Sequence, residues 1–254
     1  MKMNKGLYEM IFKRKSFHLF RNIGESGISS AEIECIKKEY NTFIPLCPDI
    51  KTAIRIVPAG ETACRRGEQY CILLYSEKKE NYLQNIGYIG EQLDLYLVSQ
   101  NIGTLWFGIG KPDEASFEGL DFVIMIAISK VDDEKKFRKD MFKSKRKEIE
   151  EIWFGKQIPG VTEIVRFAPS ACNTQPWIVE NTDACINIYR YEKQGKRGIM
   201  PADKVSFYNR IDIGIFLCFF DLCLQHNSIK YTVELYKDCG TDAERTKAAS
   251  YKML

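Results

Sequence analysis

The chain has 254 residues, 45% of them apolar and 28% charged, and carries a net charge of +3. That is enough apolar material to bury one large core or two coupled ones. The weak charge argues against a nucleic-acid platform.

The most apolar stretch, 211–224, is interrupted by Asp212 and Asp221. It falls short of the roughly 20 residues that span a bilayer, so no membrane partner is expected. The first residues contain lysines but no continuous apolar segment of the kind that directs export. Nine cysteines, an odd number without C-x-x-C spacing, read as reduced thiols. Together these point to a cytoplasmic protein. With two distant histidines and no clustered cysteine ligands, no metal site is expected.

In chain order, the pattern predicts a first helix over 6–13. A second starts at Ser29 or Ser30, where Ser30 with Ile33 and Glu34 gives a capping signal. Strands are expected near 53–58, 71–76 and 122–129, with a long apolar helix over 86–100 after the second of them. The segment Gln100-Asn101-Ile102-Gly103-Thr104-Leu105-Trp106-Phe107-Gly108-Ile109-Gly110 caps that helix and leads into a strand. Its glycines allow the backbone to approach a flat ligand closely. A basic run from Lys135 to Lys147 reads mostly as a solvated linker; a linker and helix cover about 143–153, and a short helix follows over 161–167. Strands near 177–180 and 186–191, an exposed loop at 194–202, an apolar helix over 211–225 and a strand at 230–236 complete the order. The tail from Cys239 is either a helix capped at Thr241 with Glu244 or the return arm of a hairpin. The alternation predicts an α+β sandwich of helices packed on mixed sheet.

The densest chemical signal is Ala168-Pro169-Ser170-Ala171-Cys172-Asn173-Thr174-Gln175-Pro176-Trp177. Two prolines stiffen both ends and leave Ser170 and Asn173 to face something polar. An amide carries a donor beside an acceptor, which matches the alternating edge of a flavin or pyrimidine-like ring. Cys172, inside this cradle, reads as a small packing residue or a reactive thiol. The chain also looks duplicated. Arg55-Ile56-Val57-Pro58-Ala59 echoes Arg166-Phe167-Ala168-Pro169-Ser170, and each is followed by a β-rich stretch and a long apolar helix. The halves are 1–142 and 143–254, packed as one compact unit around a pseudo-twofold axis.

On the cradle, on Arg14-Lys15-Ser16-Phe17-His18-Leu19-Phe20 and on the glycine-rich segment, the chain resembles the FMN-dependent nitroreductase family, in its internally duplicated single-chain branch. The resemblance spans nearly the whole chain and is weakest after about Lys237. It implies that Arg14, Lys15 and Ser16 bind the FMN phosphate, helped by a clamp from Arg138 and Lys139. It places the later basic position of the first motif, here His18, near the flavin N1/O2 edge. Histidine there is either a cation that favours the reduced ring or a neutral hydrogen-bonding group. A backbone N–H near Gly108 or Ile109, after Trp106 and Phe107, would point at flavin N5. Pro169, Ser170, Ala171 and Asn173 complete the expected cofactor-binding set.

Each half has lost a different part. The first lacks the cradle, and the second opens with Lys147-Glu148-Ile149-Glu150-Glu151-Ile152, too acidic for a phosphate. One complete site, and so one FMN per chain, is the expectation. The resemblance implies an oxidoreductase that takes hydride from NAD(P)H onto FMN and reduces a small-molecule acceptor, a nitroaromatic or quinone, by a ping-pong cycle. No side chain need be catalytic, because the cofactor carries the chemistry. A non-catalytic FMN-binding or storage protein and a degenerate homologue without flavin are the alternatives. Pairing inside one chain makes a monomer the expected state.

Overall fold

The computed structural model describes residues 3, 6–182, 184–191, 198–238, 240 and 244–254. Two five-stranded sheets organise them. The first contains β1 (Thr52–Pro58), β2 (Tyr70–Ser76), β3 (Ile102–Phe107), β4 (Ser116–Phe117) and β5 (Leu120–Lys130). It is antiparallel, in the order β1-β2-β5-β3, with β4 paired to β5. Central β2 and β5 are buried along nearly their whole length, which is why they read as continuous Ile, Leu, Val and Met rather than as an alternation.

The second sheet contains β6 (Trp153–Gly155), β7 (Trp177–Asn181), β8 (Ile186–Tyr191), β9 (Tyr231–Leu235) and β10 (Arg245–Met253). Its order is β6-β7-β8-β10-β9, with β6 parallel to β7 and the other pairs antiparallel. The architecture is the α+β arrangement of helices on mixed sheet that the sequence predicts.

The helices are α1 (Gly6–Lys13), α2 (Ser30–Tyr40), α3 (Tyr82–Ser99), the single turns α4 (Ile149–Ile152) and α5 (Thr162–Val165), and α6 (Ala202–His226). The long helix α3 packs on the first sheet and α6 on the second, and the two lie against each other. They meet at a reciprocal pair of glycines. A β-carbon on Gly87 would lie 2.0 Å from the Ile211 carbonyl oxygen, and one on Gly214 would lie 1.9 Å from that of Gln84. Only hydrogen fits at either point, so the helix backbones reach a separation that side chains would forbid. The chain after α1 is then tied to the first sheet: Ser16 bridges Thr104 in parallel, and the Phe17 N–H donates to the Thr104 carbonyl at 2.9 Å.

Several expectations shift. Helix α6 begins nine residues before the expected 211, directly after Pro201, whose extended backbone starts it. Its first turn is exposed and polar, so an apolar criterion overlooks it. Of the linker and helix expected within 143–153, the helix is the single turn α4, because Trp153 leaves it to pair with Val179 as the edge of the second sheet. The tail is the hairpin arm: β10 lies between β8 and β9. The proposed Thr241 cap, Cys239 and residues 194–197 of the expected loop lie outside the described residues. Among the described residues no helix is long and apolar enough to cross a membrane.

Candidate functional site

A cavity of about 280 Å³ has walls from both parts of the chain. Arg14, Ser16 and His18 come from the segment after α1; Leu105, Trp106, Phe107, Gly108 and Ile109 come from β3 and the turn beyond it. Pro169, Ser170, Ala171 and Cys172 come from the cradle, while Tyr208, Ile211, Asp212 and Ile215 come from α6. Arg66, Ile124, Ile199 and Met200 complete the lining. A space of this size with mostly apolar walls and a few convergent polar groups suits a flat organic ligand.

Arg14 anchors one wall. It is only 3% exposed, and its Nε donates to Asp94 Oδ2 at 2.8 Å, with Glu91 3.6 Å away. Burial opposes its charge, but Asp94 and Glu91 outweigh burial and hold the guanidinium firmly protonated. The same Asp94 accepts from Thr104 Oγ1 at 2.5 Å and from Trp106 Nε1 at 2.9 Å, so one carboxylate orients the cation, the strand and the indole together. Arg14 Nη1 donates to Ser16 Oγ at 3.3 Å, while its buried Nη2 has no hydrogen-bond partner. Glu91 is fully buried, and burial followed by the neighbouring Asp94 pushes its carboxyl well above the usual range.

Beside Arg14 lies a group of like charges. Arg138 is half-buried; burial, and then the charge of Arg14, lowers it to about 10. Arg146 is lowered to about 10 as well, by burial and then by Arg138, Arg14 and Arg166. The Nε atoms of Arg146 and Arg166 are buried without partners. Arg14 is answered by Asp94 and Arg166 by Glu148 at 3.5 Å, whereas Arg138 and Arg146 stay charged at neutral pH and crowd each other, a repulsion that a bound anion would relieve.

The cradle is strained. Cys172, Asn173 and Gln175 sit at φ values of +50°, +54° and +49°, a region that costs non-glycine residues of order 1–3 kcal/mol each. Side-chain hydrogen bonds hold the shape. Gln175 N–H donates to Ser170 Oγ at 2.9 Å, Lys147 N–H to Gln175 Oε1 at 2.8 Å, and Ala171 N–H to Asp212 Oδ1 at 2.9 Å. Asp212 is 3% exposed, and its other oxygen has no partner. Burial raises its carboxyl to about 8, against a partial lowering by the Ala171 N–H. At neutral pH it is an uncharged acid in the cavity wall.

Ten of the fourteen residues singled out from the sequence line the cavity: Arg14, Ser16, His18, Trp106, Phe107, Gly108, Ile109, Pro169, Ser170 and Ala171. The other four do not. Lys15 is exposed, and its Nζ donates to the Lys136 carbonyl. Arg138 belongs to the cation group, and Lys139 is exposed. Asn173 is exposed and turned outward. Its Oδ1 accepts from Arg146 Nη1 at 3.1 Å, and its Nδ2 donates to the Lys145 carbonyl at 3.3 Å.

Cys172 is exposed at the cavity wall rather than packed in the core. Sequence reasoning missed Arg66, Tyr208, Arg146 and Asp212. Asp212 had a signal, as one of two carboxylates inside an apolar run. Tyr208 had none: its hydroxyl donates to the Gly108 carbonyl at 2.5 Å across 100 residues.

The fold and cavity define a nitroreductase-like α+β protein. A family model described as "Putative TM nitroreductase" matches residues 6–224, and the chain belongs to that family. A crystal structure of a "putative nitroreductase" from Thermotoga maritima is similar in fold, with a TM-score of 0.61 and 17% identity, covering 100% of this chain and 96% of that one. A nitroreductase-like family protein from Bacillus cereus is more distant, with a TM-score of 0.40 and 12% identity over 63% of this chain and 100% of that one. No curated protein matches. Family and fold together support an oxidoreductase.

Proposed function

We propose that the protein is an FMN-dependent oxidoreductase that draws electrons from NAD(P)H and delivers them to a small-molecule acceptor such as a nitroaromatic or quinone. The observation that carries this reading is the cavity that joins the Arg14 segment, the turn after β3 and the cradle, with a group of unneutralised guanidinium charges beside it. The residues fit the cofactor. Arg14 Nη2 and the Arg138–Arg146 group would hold the phosphate, and Ser16 adds a hydroxyl. Trp106, Phe107, Pro169 and Ala171 would border the ring, and Asp212 would meet a ring or substrate oxygen with its free oxygen.

When bound, the flavin supplies the two-electron chemistry. The chain's own residues orient the ligand, exclude water and keep a neutral acid at the wall. A single site drawing on both halves is what two duplicated units with complementary losses would form, and the reciprocal glycine contact between α3 and α6 supports a pairing made within one chain.

The test is titration of the purified protein with FMN, followed by anaerobic mixing of the loaded protein with NADH or NADPH. One FMN per chain and bleaching of the flavin band within seconds are expected. Binding without reduction would make it a flavin carrier, and absence of binding would remove the reading.

A further inference from the structure

The connection from β1 to β2 gathers a second cluster of chemically capable side chains, apart from the cavity wall. We infer that Cys64, Glu68 and Cys71 form a closed site for a divalent metal ion of the zinc type. The two sulfurs and a carboxylate oxygen all lie within 4.8 Å of one another, and the three residues are buried, both cysteines to 0% exposure and Glu68 to 7%. A turn places them so. Gly67, at φ +82°, reverses the chain between Cys64 and Cys71 and folds Glu68 back onto both thiols. A C-x6-C spacing does not announce a metal site; the reversal brings the donors together.

Glu68 is the second, independent sign. Its Oε2 accepts from the Arg66 N–H at 2.7 Å, but Oε1 is buried without a partner. A buried carboxylate oxygen left unsatisfied is costly, and a coordinated cation is the economical remedy. Two sulfurs and one oxygen suit zinc, whereas magnesium and calcium require more oxygen donors. Thr62 Oγ1 borders the cluster, 3.4 Å from Cys71 Sγ, and accepts from the Cys64 N–H at 3.1 Å.

The charges balance. A divalent ion that displaces the two thiol protons leaves the cluster's net charge unchanged, so metal enters without creating buried charge. The guanidinium of Arg65 sits close by, on the Thr62 and Cys64 carbonyls, and faces the remaining negative charge.

The same turn carries Arg66, which lines the cavity, stacks over Phe107 at 5.6 Å and accepts from the Phe20 N–H through its carbonyl. Metal at the cluster would therefore set the position of one cavity wall. The role is structural, and it stands whether or not the cavity takes FMN.

The probe is cobalt(II), added without oxygen to the reduced full-length protein, because thiolate ligation produces a sulfur-to-cobalt charge-transfer band. One equivalent per chain is expected, displaced by zinc. Cys64→Ser with Cys71→Ser should abolish the band, and Glu68→Gln should weaken binding by roughly tenfold or more. Cys35→Ser, at an exposed thiol, should leave it intact. Circular dichroism confirms that the variants are folded. Absence of the band while thiol titration shows Cys64 and Cys71 free, its persistence in the double variant, or a Cys64–Cys71 disulfide in the freshly isolated protein would each overturn the inference.

Discussion

Arg14 and Asp94 form a fully enclosed ion pair, 2.8 Å long, that joins the segment after α1 to the middle of α3. Asp94 is saturated by this contact together with Thr104 and Trp106. Removing one partner of such a pair strands a buried charge. Asp94→Ala should therefore lower stability by about 3–5 kcal/mol, and Asp94→Asn by less, because the amide still accepts one hydrogen bond. Urea unfolding measures both, and tryptophan emission should report the loosening of Trp106. A loss under about 1 kcal/mol for Asp94→Ala would show that the pair is solvated.

The contact between α3 and α6 makes a sharper steric prediction. Gly214→Ala places a methyl group 1.9 Å from the Gln84 carbonyl oxygen, and backbone cannot swing aside as a side chain can. Overpacking commonly costs about 1–3 kcal/mol, and the upper end or beyond is expected here. Gly60→Ala meets nothing within 4 Å and serves as the control. Equal melting temperatures for the two variants would refute the close crossing.

Asp212 makes stability depend on pH in a definite direction. Folding raises its carboxyl to about 8, so between its unfolded value near 4 and that point the native state holds a proton that the unfolded chain has released. Its contribution is most favourable below about pH 4 and declines as pH rises to about 8, by up to about 1.4 kcal/mol per unit. Asp221, raised by burial to about 6, adds the same trend over a lower range. Asp212→Asn should remove its share, so the stability difference between variant and wild type should grow in favour of the variant across pH 4–8. Parallel curves would mean that Asp212 is ionised in the fold.

The cation group should recognise phosphate rather than the ring. Arg138→Met should weaken FMN binding by roughly tenfold, the worth of one charged hydrogen bond of about 1.5 kcal/mol, yet leave riboflavin, which lacks the phosphate, nearly unaffected. Fluorescence quenching titrations with the two ligands decide it. An equal loss for both would move the phosphate away from Arg138.

Much of this was legible without coordinates, wherever the signal was local. Buried β2 and β5 wrote themselves as apolar runs, α3 as a long apolar helix, and Pro169 and Pro176 as a stiff turn. Chain neighbours determine such features, and periodicity and restricted φ reveal them directly. The direction of Asn173 was not local. Its amide was free to serve a ligand until Arg146 and the Lys145 carbonyl, almost thirty residues earlier, claimed it.

The amino-acid order alone thus determined the kinds of elements, their sequence along the chain, and the stiff cradle with its prolines. Tertiary structure decided which oxygen of Asp212 stays free, which arginines crowd one another, and that Cys64, Glu68 and Cys71 converge. Those outcomes depend on chain reversals and on helix backbones meeting at Gly87 and Gly214, where distances of a few ångströms are set by packing between residues far apart in sequence.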